Sequence, residues 1–249
     1  MKALRRVVRL ALLLGHVFWG LLLTVIFAEV LRMTVAQSFY RGLVRAWLRR
    51  VTRIVGVKVR VYGIPEDTAT LLVANHITWL DIPLLGGEMP IRFLSKQEVR
   101  GWPVVGWLAA KAGTLFISRG KAGAAAAATA TMTEALQSGA AVLLFPEGTT
   151  TTGDNVQPFH ARLFASAINL DIQVQPIVLR YPGANGLTHP LIPYVDDQAL
   201  WGNLWGILGE AKCAAEIHFL SPIKTIGLDR KALAALSEAN IRQLIENPR

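Results

Sequence analysis

His76 and Asp81 stand five positions apart, directly after the apolar run of residues 71–74. A short apolar run before a polar break is typical of a buried strand that ends in a loop. Residues 80–83 are typical of a helix start, with Asp81 as the cap and a proline in the first turn. A loop histidine facing such a carboxylate can act as a general base with its orienting partner. The pair also occurs by chance, and Asp81 can be a helix cap alone, so the surrounding sequence must decide.

A strand-end arginine is the second feature that could take part in binding or catalysis. Residues 113–119 have the pattern of a strand that ends in Arg119. The planar guanidinium group of arginine matches a phosphate or a carboxylate, although arginines at strand ends are also common on ordinary surfaces. Arg119 is therefore a candidate anion-binding residue whose role depends on its neighbours.

Two further segments could line a binding cleft, one directly after an apolar run and one inside another apolar run. Glu147, Gly148 and Thr149 come directly after the most apolar run, where a carboxylate and a glycine suit a binding cleft at a strand end. The alternative for this segment is a turn with a capping glutamate. Pro176 lies inside the apolar run of residues 174–179. Because proline cannot donate to a strand ladder, it predicts an edge strand or a bulge beside a groove.

Several other functions lack their sequence signatures. The chain has no G-x-S-x-G nucleophile elbow, no phosphate-binding loop and no G-x-G-x-x-G fingerprint. His160, His189 and His218 have no metal-ligand spacing. Cys213 is the single cysteine, so an intrachain disulfide is impossible and no thiol nucleophile is indicated. We expect neither a metal nor a resident cofactor.

The elements that must position these residues alternate between strands and helices. Such alternation predicts an α/β fold with a mostly parallel sheet flanked by helices. Helices are expected at residues 82–85, 97–111, 121–137, 161–168 and 229–246. Strands are expected at residues 57–62, 70–74, 91–94, 114–117, 141–145, 174–179 and 217–220.

Charge separates the start of the chain from the rest. The first sixty residues carry twelve lysines or arginines and one acid, Glu29, within a chain of formal charge +9. These basic residues are interleaved with the most apolar part of the sequence, which favours an anionic lipid surface over nucleic acid as the partner. We therefore expect residues 1–55 to form membrane-anchoring helices and residues 56–249 to form the α/β domain.

Two helices are predicted in the N-terminal segment. Residues 10–28 are apolar over about the minimum length of a membrane span, and a secretory signal peptide is the alternative. Residues 38–55 place apolar residues at three- and four-residue steps, with arginines on another face. This pattern predicts an amphipathic helix in a bilayer interface, and a surface helix packed on the body is the alternative. A hairpin dipping into one leaflet is as compatible as a single span.

Taken together, the motifs resemble the glycerolipid acyltransferases, which include bacterial 1-acylglycerol-3-phosphate acyltransferases. The resemblance covers residues 57–182 and implies an active acyltransferase. It implies that His76 is the general base for an acceptor hydroxyl and that Asp81 holds its tautomer. The acceptor would then attack an acyl thioester directly, with acyl-CoA or acyl carrier protein as co-substrate. The resemblance also implies substrate-binding positions, with Pro176 shaping a groove: Asn75, Lys96, Arg119, Glu147, Gly148, Thr149 and Pro176.

Thr150 departs from the pattern of this family, in which an arginine commonly follows Glu-Gly-Thr. The departure resembles the branch that acylates lyso-ornithine lipid, whose acceptor lacks a phosphate. Lysophosphatidic acid, converted to phosphatidic acid, is expected first as the family's commonest acceptor, with lyso-ornithine lipid as the alternative. An inactive lipid-binding membrane protein and a thioester hydrolase are alternatives of other classes. The expected location is the cytoplasmic face of the inner cell membrane.

Overall fold

A seven-stranded sheet organises the protein, which we describe from a computed structural model. The structure describes residues 1–66, 69–118, 123–183, 187–195 and 197–247. The strands are β1 (Val57–Tyr62), β2 (Leu71–Ala74), β3 (Ile91–Lys96), β4 (Leu115–Ile117), β5 (Ala141–Leu144), β6 (Val174–Arg180) and β7 (Cys213–Phe219).

The strands lie in the order β1-β7-β6-β2-β5-β3-β4. The central strand β2 is parallel to both of its neighbours, β5 and β6. Strand β7 runs antiparallel to β6, and β1 pairs in parallel with β7. The carboxyl ends of β6, β2 and β5 therefore meet side by side at one edge of the sheet. In α/β sheets this edge is where binding clefts form.

Helices cover both faces of the sheet, so its inner strands are buried on both sides. All four residues of β2 are fully buried, as expected for a parallel strand between two helical layers. Successive residues of β2 pack into two different apolar clusters, one on each face. The helices are α1 (Lys2–Thr24), α2 (Ser38–Val55), α3 (Asp81–Glu88), α4 (Gln97–Arg100), α5 (Val105–Lys111), α6 (Ala124–Gln137), α7 (Ala165–Leu170), α8 (Leu200–Leu208) and α9 (Arg230–Glu246).

The α/β architecture predicted from the sequence is confirmed, with differences at particular elements. The helix expected at 97–111 is two helices, α4 and α5, because Pro103 and the positive φ of Val104, 62°, interrupt it. The helix expected at 161–168 begins as a 3-10 turn and continues as α7. Helix α8 was not expected from the sequence, and β7 begins four residues earlier than predicted.

Pro176 lies in an interior strand, so the prediction of an edge strand is wrong. Strand β6 sits between β2 and β7, and Pro176 pairs with Val73. Its carbonyl oxygen accepts from the backbone N–H of Leu220, just beyond the end of β7. The antiparallel ladder between the two strands starts one residue later, at Ile177 and Phe219. The missing N–H of proline therefore falls between this ladder and the isolated antiparallel bridge of Val174 with Ile223.

The N-terminal helices form an antiparallel pair against the body. Helix α1 continues through a π-helical segment, Val25–Val30, and the joined stretch of 29 residues is long and apolar enough to cross a membrane. Many of its large apolar side chains are exposed. Helix α2 spans residues 38–55 as predicted, but part of its basic face contacts protein. Arg45 and Arg49 both donate to the carbonyl oxygen of Gly87, at the end of α3.

Candidate active site

His76 and Asp81 form a hydrogen-bonded pair at the carboxyl end of β2. The Nδ1 atom of His76 lies 2.7 Å from Oδ2 of Asp81. The same oxygen accepts from the backbone N–H groups of Ile77 at 2.8 Å and Thr78 at 3.0 Å. Because this carboxylate oxygen acts as an acceptor, Nδ1 carries the proton of a neutral His76 ring. The other ring nitrogen, Nε2, is then the basic atom that can take a proton from a substrate.

Asp81 positions the histidine and its loop but does not cap α3. The N-cap of α3 is Leu80, and Asp81 is the first residue of the helix. Its carboxylate turns back toward the amides that precede the helix, so the prediction of a cap is wrong. The side chain is fully buried. A buried carboxylate placed against a histidine ring and fixed by several donors can stabilise an imidazolium ion.

Tyr181 completes this arrangement and was missed from the sequence. Its hydroxyl donates to Oδ1 of Asp81 at 2.6 Å, and its side chain is buried. Burial, with the nearby charge of Asp81, raises the pKa of Tyr181 well above its ordinary value. The hydroxyl therefore remains a proton donor at physiological pH. Tyr181 lies two residues beyond the predicted strand of residues 174–179. This position at a strand end was the only sequence signal, and a tyrosine there is also common in ordinary packing.

Glu147 supports His76 from the neighbouring strand. Its Oε1 accepts from the backbone N–H of His76 at 2.8 Å, and its Oε2 accepts from that of Gln157 at 2.8 Å. The side chain is 5% exposed, and burial raises its pKa. The structure thus gives this carboxylate a positioning role. Its expected contact with the acceptor head group stays a prediction.

The segment after β5 encloses the histidine from two sides. The ring of Phe145 stacks on the ring of His76, with centroids 3.9 Å apart and planes 11° apart. The backbone N–H of Thr151 donates to the carbonyl oxygen of His76 at 2.8 Å. Gly148 has a positive φ of 75°, which glycine adopts without strain. These contacts fix both the ring plane and the backbone of the candidate base.

Asn75 joins two strand ends below the histidine. Its side-chain amide donates to the carbonyl oxygen of Leu179 at 3.0 Å and accepts from the N–H of Leu179 at 2.8 Å. The residue is fully buried. The structure therefore places Asn75 between β2 and β6, and its expected contact with substrate stays a prediction.

The remaining predicted positions lie around this centre or outside the described chain. Lys96 is exposed at the end of β3, and Thr149 is exposed in the segment after β5. Thr150 donates its hydroxyl to the carbonyl oxygen of Tyr194. Arg119 lies outside the described residues. Head-group binding by Lys96, Arg119 and Gly148 stays a prediction, as do substrate binding by Thr149 and the shaping of a groove by Pro176.

An apolar cavity of about 210 Å³ lies under the N-terminal helices. Its walls come from α1, α2, α5 and β3, together with Ile82. Ile82 directly follows the buried Asp81 in α3, so the cavity adjoins the helix that carries the candidate catalytic carboxylate. An apolar chamber in this position suits an aliphatic chain.

Comparisons with known proteins identify the family. Residues 58–180 match the profile of the family described as Acyltransferase. The chain is 41% identical over 244 residues to a lyso-ornithine lipid O-acyltransferase from Pseudomonas aeruginosa, covering 97% of this chain and 94% of the relative. It is 33% identical over 192 residues to a 1-acyl-sn-glycerol-3-phosphate acyltransferase from Neisseria gonorrhoeae, covering 77% of this chain and 75% of the relative. The chain therefore belongs to the acyltransferase family.

A solved structure confirms the fold. The crystal structure of PlsC, the 1-acyl-sn-glycerophosphate (LPA) acyltransferase from Thermotoga maritima, matches with a TM-score of 0.69 at 20% identity, over 99% of this chain and 97% of that one. With the relatives above, this match confirms the resemblance found in the sequence. The protein is an acyltransferase of the type that includes lysophosphatidic acid and lyso-ornithine lipid acyltransferases.

Proposed function

We propose that this protein is a membrane-bound lyso-ornithine lipid O-acyltransferase. The observation that carries the proposal is its identity of 41% across nearly the whole chain to a relative of that name. The relative named for 1-acyl-sn-glycerol-3-phosphate is less similar and is matched over a shorter part of the chain. The comparisons thus favour the alternative acceptor over the lysophosphatidic acid that was expected first.

Thr150 supports the same acceptor. The resemblance to glycerolipid acyltransferases implies an arginine at this position in enzymes that bind a phosphate. Here a neutral side chain occupies it, and its hydroxyl donates inward to the backbone of Tyr194. The side chain therefore supplies neither a cation nor its hydroxyl proton to an acceptor phosphate, and an acceptor without a phosphate suits this loop better.

In the proposed reaction, Nε2 of His76 removes the proton of the acceptor hydroxyl. The hydroxyl oxygen attacks the thioester carbonyl carbon, the new C–O bond forms, and the C–S bond breaks. The proton then passes from His76 to the departing thiolate, which leaves as a thiol. Asp81 stabilises the imidazolium while it exists, and its bond to Nδ1 keeps Nε2 directed at the substrate.

Direct transfer suits the groups around His76. Cys213 is 3% exposed at the start of β7, and burial raises the pKa of its thiol, which disfavours the reactive thiolate. The His76 side chain is hydrogen-bonded to Asp81, which accepts its proton, and stacks on the ring of Phe145. Neither group is a serine or cysteine nucleophile, so we propose no acyl-enzyme intermediate.

The proposed membrane attachment rests on α1 and its continuation. This 29-residue stretch is long and apolar enough to cross a membrane, and only 17% of its most apolar part is buried in the protein. An exposed surface of this kind is stable when lipid covers it. We place the enzyme at the cytoplasmic face of the inner membrane, with acyl-CoA or acyl carrier protein delivering the acyl group and the cavity beside Ile82 receiving an aliphatic chain.

A competition assay tests the choice of acceptor. Purified protein in mixed micelles receives lyso-ornithine lipid and lysophosphatidic acid at equal concentration, with one radiolabelled acyl thioester. The proposal predicts that the label enters ornithine lipid faster than phosphatidic acid. Preferential labelling of phosphatidic acid would establish the other acceptor, and thiol release without either product would indicate a hydrolase.

A further inference from the structure

Helix α8 is an apolar element that the motifs do not explain. Residues 198–209 contain no charged side chain. Trp201 is 57% exposed, and its ring stacks on that of Trp205, with centroids 5.9 Å apart. Leu200 and Leu191 also expose large apolar side chains beside it. Tryptophan and leucine exposed together in a region without charge are unusual on a surface that faces only water.

The inner side of α8 is attached to the catalytic loop. Ile207 and Leu208 are buried in the core cluster that also contains Leu80. The indole N–H of Trp79, which lies between His76 and Asp81, donates to Oδ1 of Asn203 at 2.9 Å. The amide of Asn203 donates in turn to the carbonyl oxygens of Leu191 and Pro193. One side of α8 is therefore fixed beside the active site.

The carboxyl end of α8 is held by the amino end of α1. Arg5 donates to the carbonyl oxygen of Gly209 at 2.7 Å, and Arg9 donates to that of Glu210 at 2.7 Å. The guanidinium group of Arg6 lies 5.4 Å from the ring centre of Trp205. These contacts place Arg6 against Trp205, which stacks on Trp201. They also join the carboxyl end of α8 to the amino end of α1, whose apolar side chains are exposed.

We propose that α8 is a second bilayer-contacting element, which lies in the head-group region of an anionic phospholipid bilayer. Its tryptophans and leucines suit the boundary between head groups and acyl chains, and the neighbouring arginines suit anionic lipid. Because Asn203 links α8 to Trp79, this contact brings the bilayer close to His76. A lysolipid acceptor then reaches the base along α8; only this delivery role rests on the proposed function.

Site-directed spin labelling tests the contact without any activity measurement. A nitroxide is placed at position 201 through Trp201→Cys, in a Cys213→Ala background, and at position 226 through Ile226→Cys as the control. Ile226 is 76% exposed near the amino end of β6, away from the catalytic edge. The protein is bound to phosphatidylglycerol–phosphatidylethanolamine vesicles. We expect the label at 201 to gain oxygen accessibility and lose accessibility to a water-soluble nickel chelate, while the label at 226 does not change.

A label at 201 that stays accessible to the nickel chelate on vesicle-bound protein would overturn the proposal.

The variant Trp201→Asp tests the delivery of the acceptor to His76, with Ile226→Asp as the matched control. We expect Trp201→Asp to remain bound to vesicles through α1 and to raise the KM for vesicle-embedded acceptor by roughly tenfold, as for loss of an interfacial anchor. Its kcat and its rate with acceptor dispersed in detergent should match the wild type. An unchanged KM on vesicles would contradict the delivery role for whichever lysolipid is the acceptor.

Discussion

The variant Tyr181→Phe removes one hydroxyl group from the support of Asp81. In the wild type this hydroxyl donates to Oδ1 at 2.6 Å, and both side chains are buried. The other carboxylate oxygen keeps its three donors in the variant. The substitution therefore leaves His76 in contact with Asp81 but leaves one buried carboxylate oxygen without its donor.

The expected loss of stability follows from the kind of hydrogen bond that the substitution removes. A hydrogen bond to a charged group contributes about 1.5–3 kcal/mol, so the free energy of unfolding should fall by about that amount. Asp81 also loses one of the bonds that fix its orientation against Nδ1 of His76. We expect kcat/KM to fall by about tenfold as well, since tenfold corresponds to about 1.4 kcal/mol and a small displacement of the candidate base is costly.

The assay is kcat/KM at one fixed pH, measured beside urea unfolding for the wild type and the variant. Tyr62→Phe serves as the control, because it changes an exposed tyrosine at the end of β1. We expect kcat/KM of Tyr181→Phe to fall by about tenfold and the control to match the wild type. An unchanged kcat/KM, with stability reduced or not, would refute the link between Tyr181 and the His76–Asp81 pair.

Three further substitutions test the supporting residues. Asn75→Ala leaves the buried N–H and carbonyl groups of Leu179 unpaired and should lower the free energy of unfolding by about 2–5 kcal/mol in urea titrations; a loss below 1 kcal/mol would contradict that role. Burial raises the pKa of Glu147 above 4.5, so its contribution to stability is present below about pH 4.5 and is lost as pH rises through the folded pKa. The stability of the wild type relative to Glu147→Gln should therefore fall as pH rises above 4.5 in thermal unfolding scans, and a rise would contradict this assignment. Thr150→Arg should increase the ratio of lysophosphatidic acid to lyso-ornithine lipid acylation by roughly tenfold, as for one added charged hydrogen bond, and an unchanged ratio would remove Thr150 from acceptor choice.

Local sequence patterns predicted the pairing of His76 with Asp81 and the strands of the sheet because both depend on short-range order. His76 and Asp81 are five residues apart, so one loop and one helix turn bring them together. The run of residues 71–74 is short and ends at a polar break, which favours a buried strand over a buried helix. In the structure β5 is parallel to β2, which places the segment after β5 beside His76.

Contacts that depend on register and on tertiary packing were not predictable in the same way. Tyr181 meets Asp81 only because β6 lies next to β2, and sequence alone does not give strand order. Glu147 was expected at the substrate, but the backbone amides of His76 and Gln157 occupy its carboxylate. Helix α8 is nine residues long and apolar, with two glycines, so it carried no clear helical period.

The activity of His76→Ala tests the central claim most directly, which is that His76 is the general base for acyl transfer. Acyl transfer from a labelled thioester is measured with both lysolipids, and His160→Ala, which changes an exposed histidine, is the control. The account predicts that His76→Ala folds, binds vesicles like the wild type, and loses activity by about 10²–10⁴-fold, the usual contribution of a general base. Near-normal turnover by His76→Ala would contradict it.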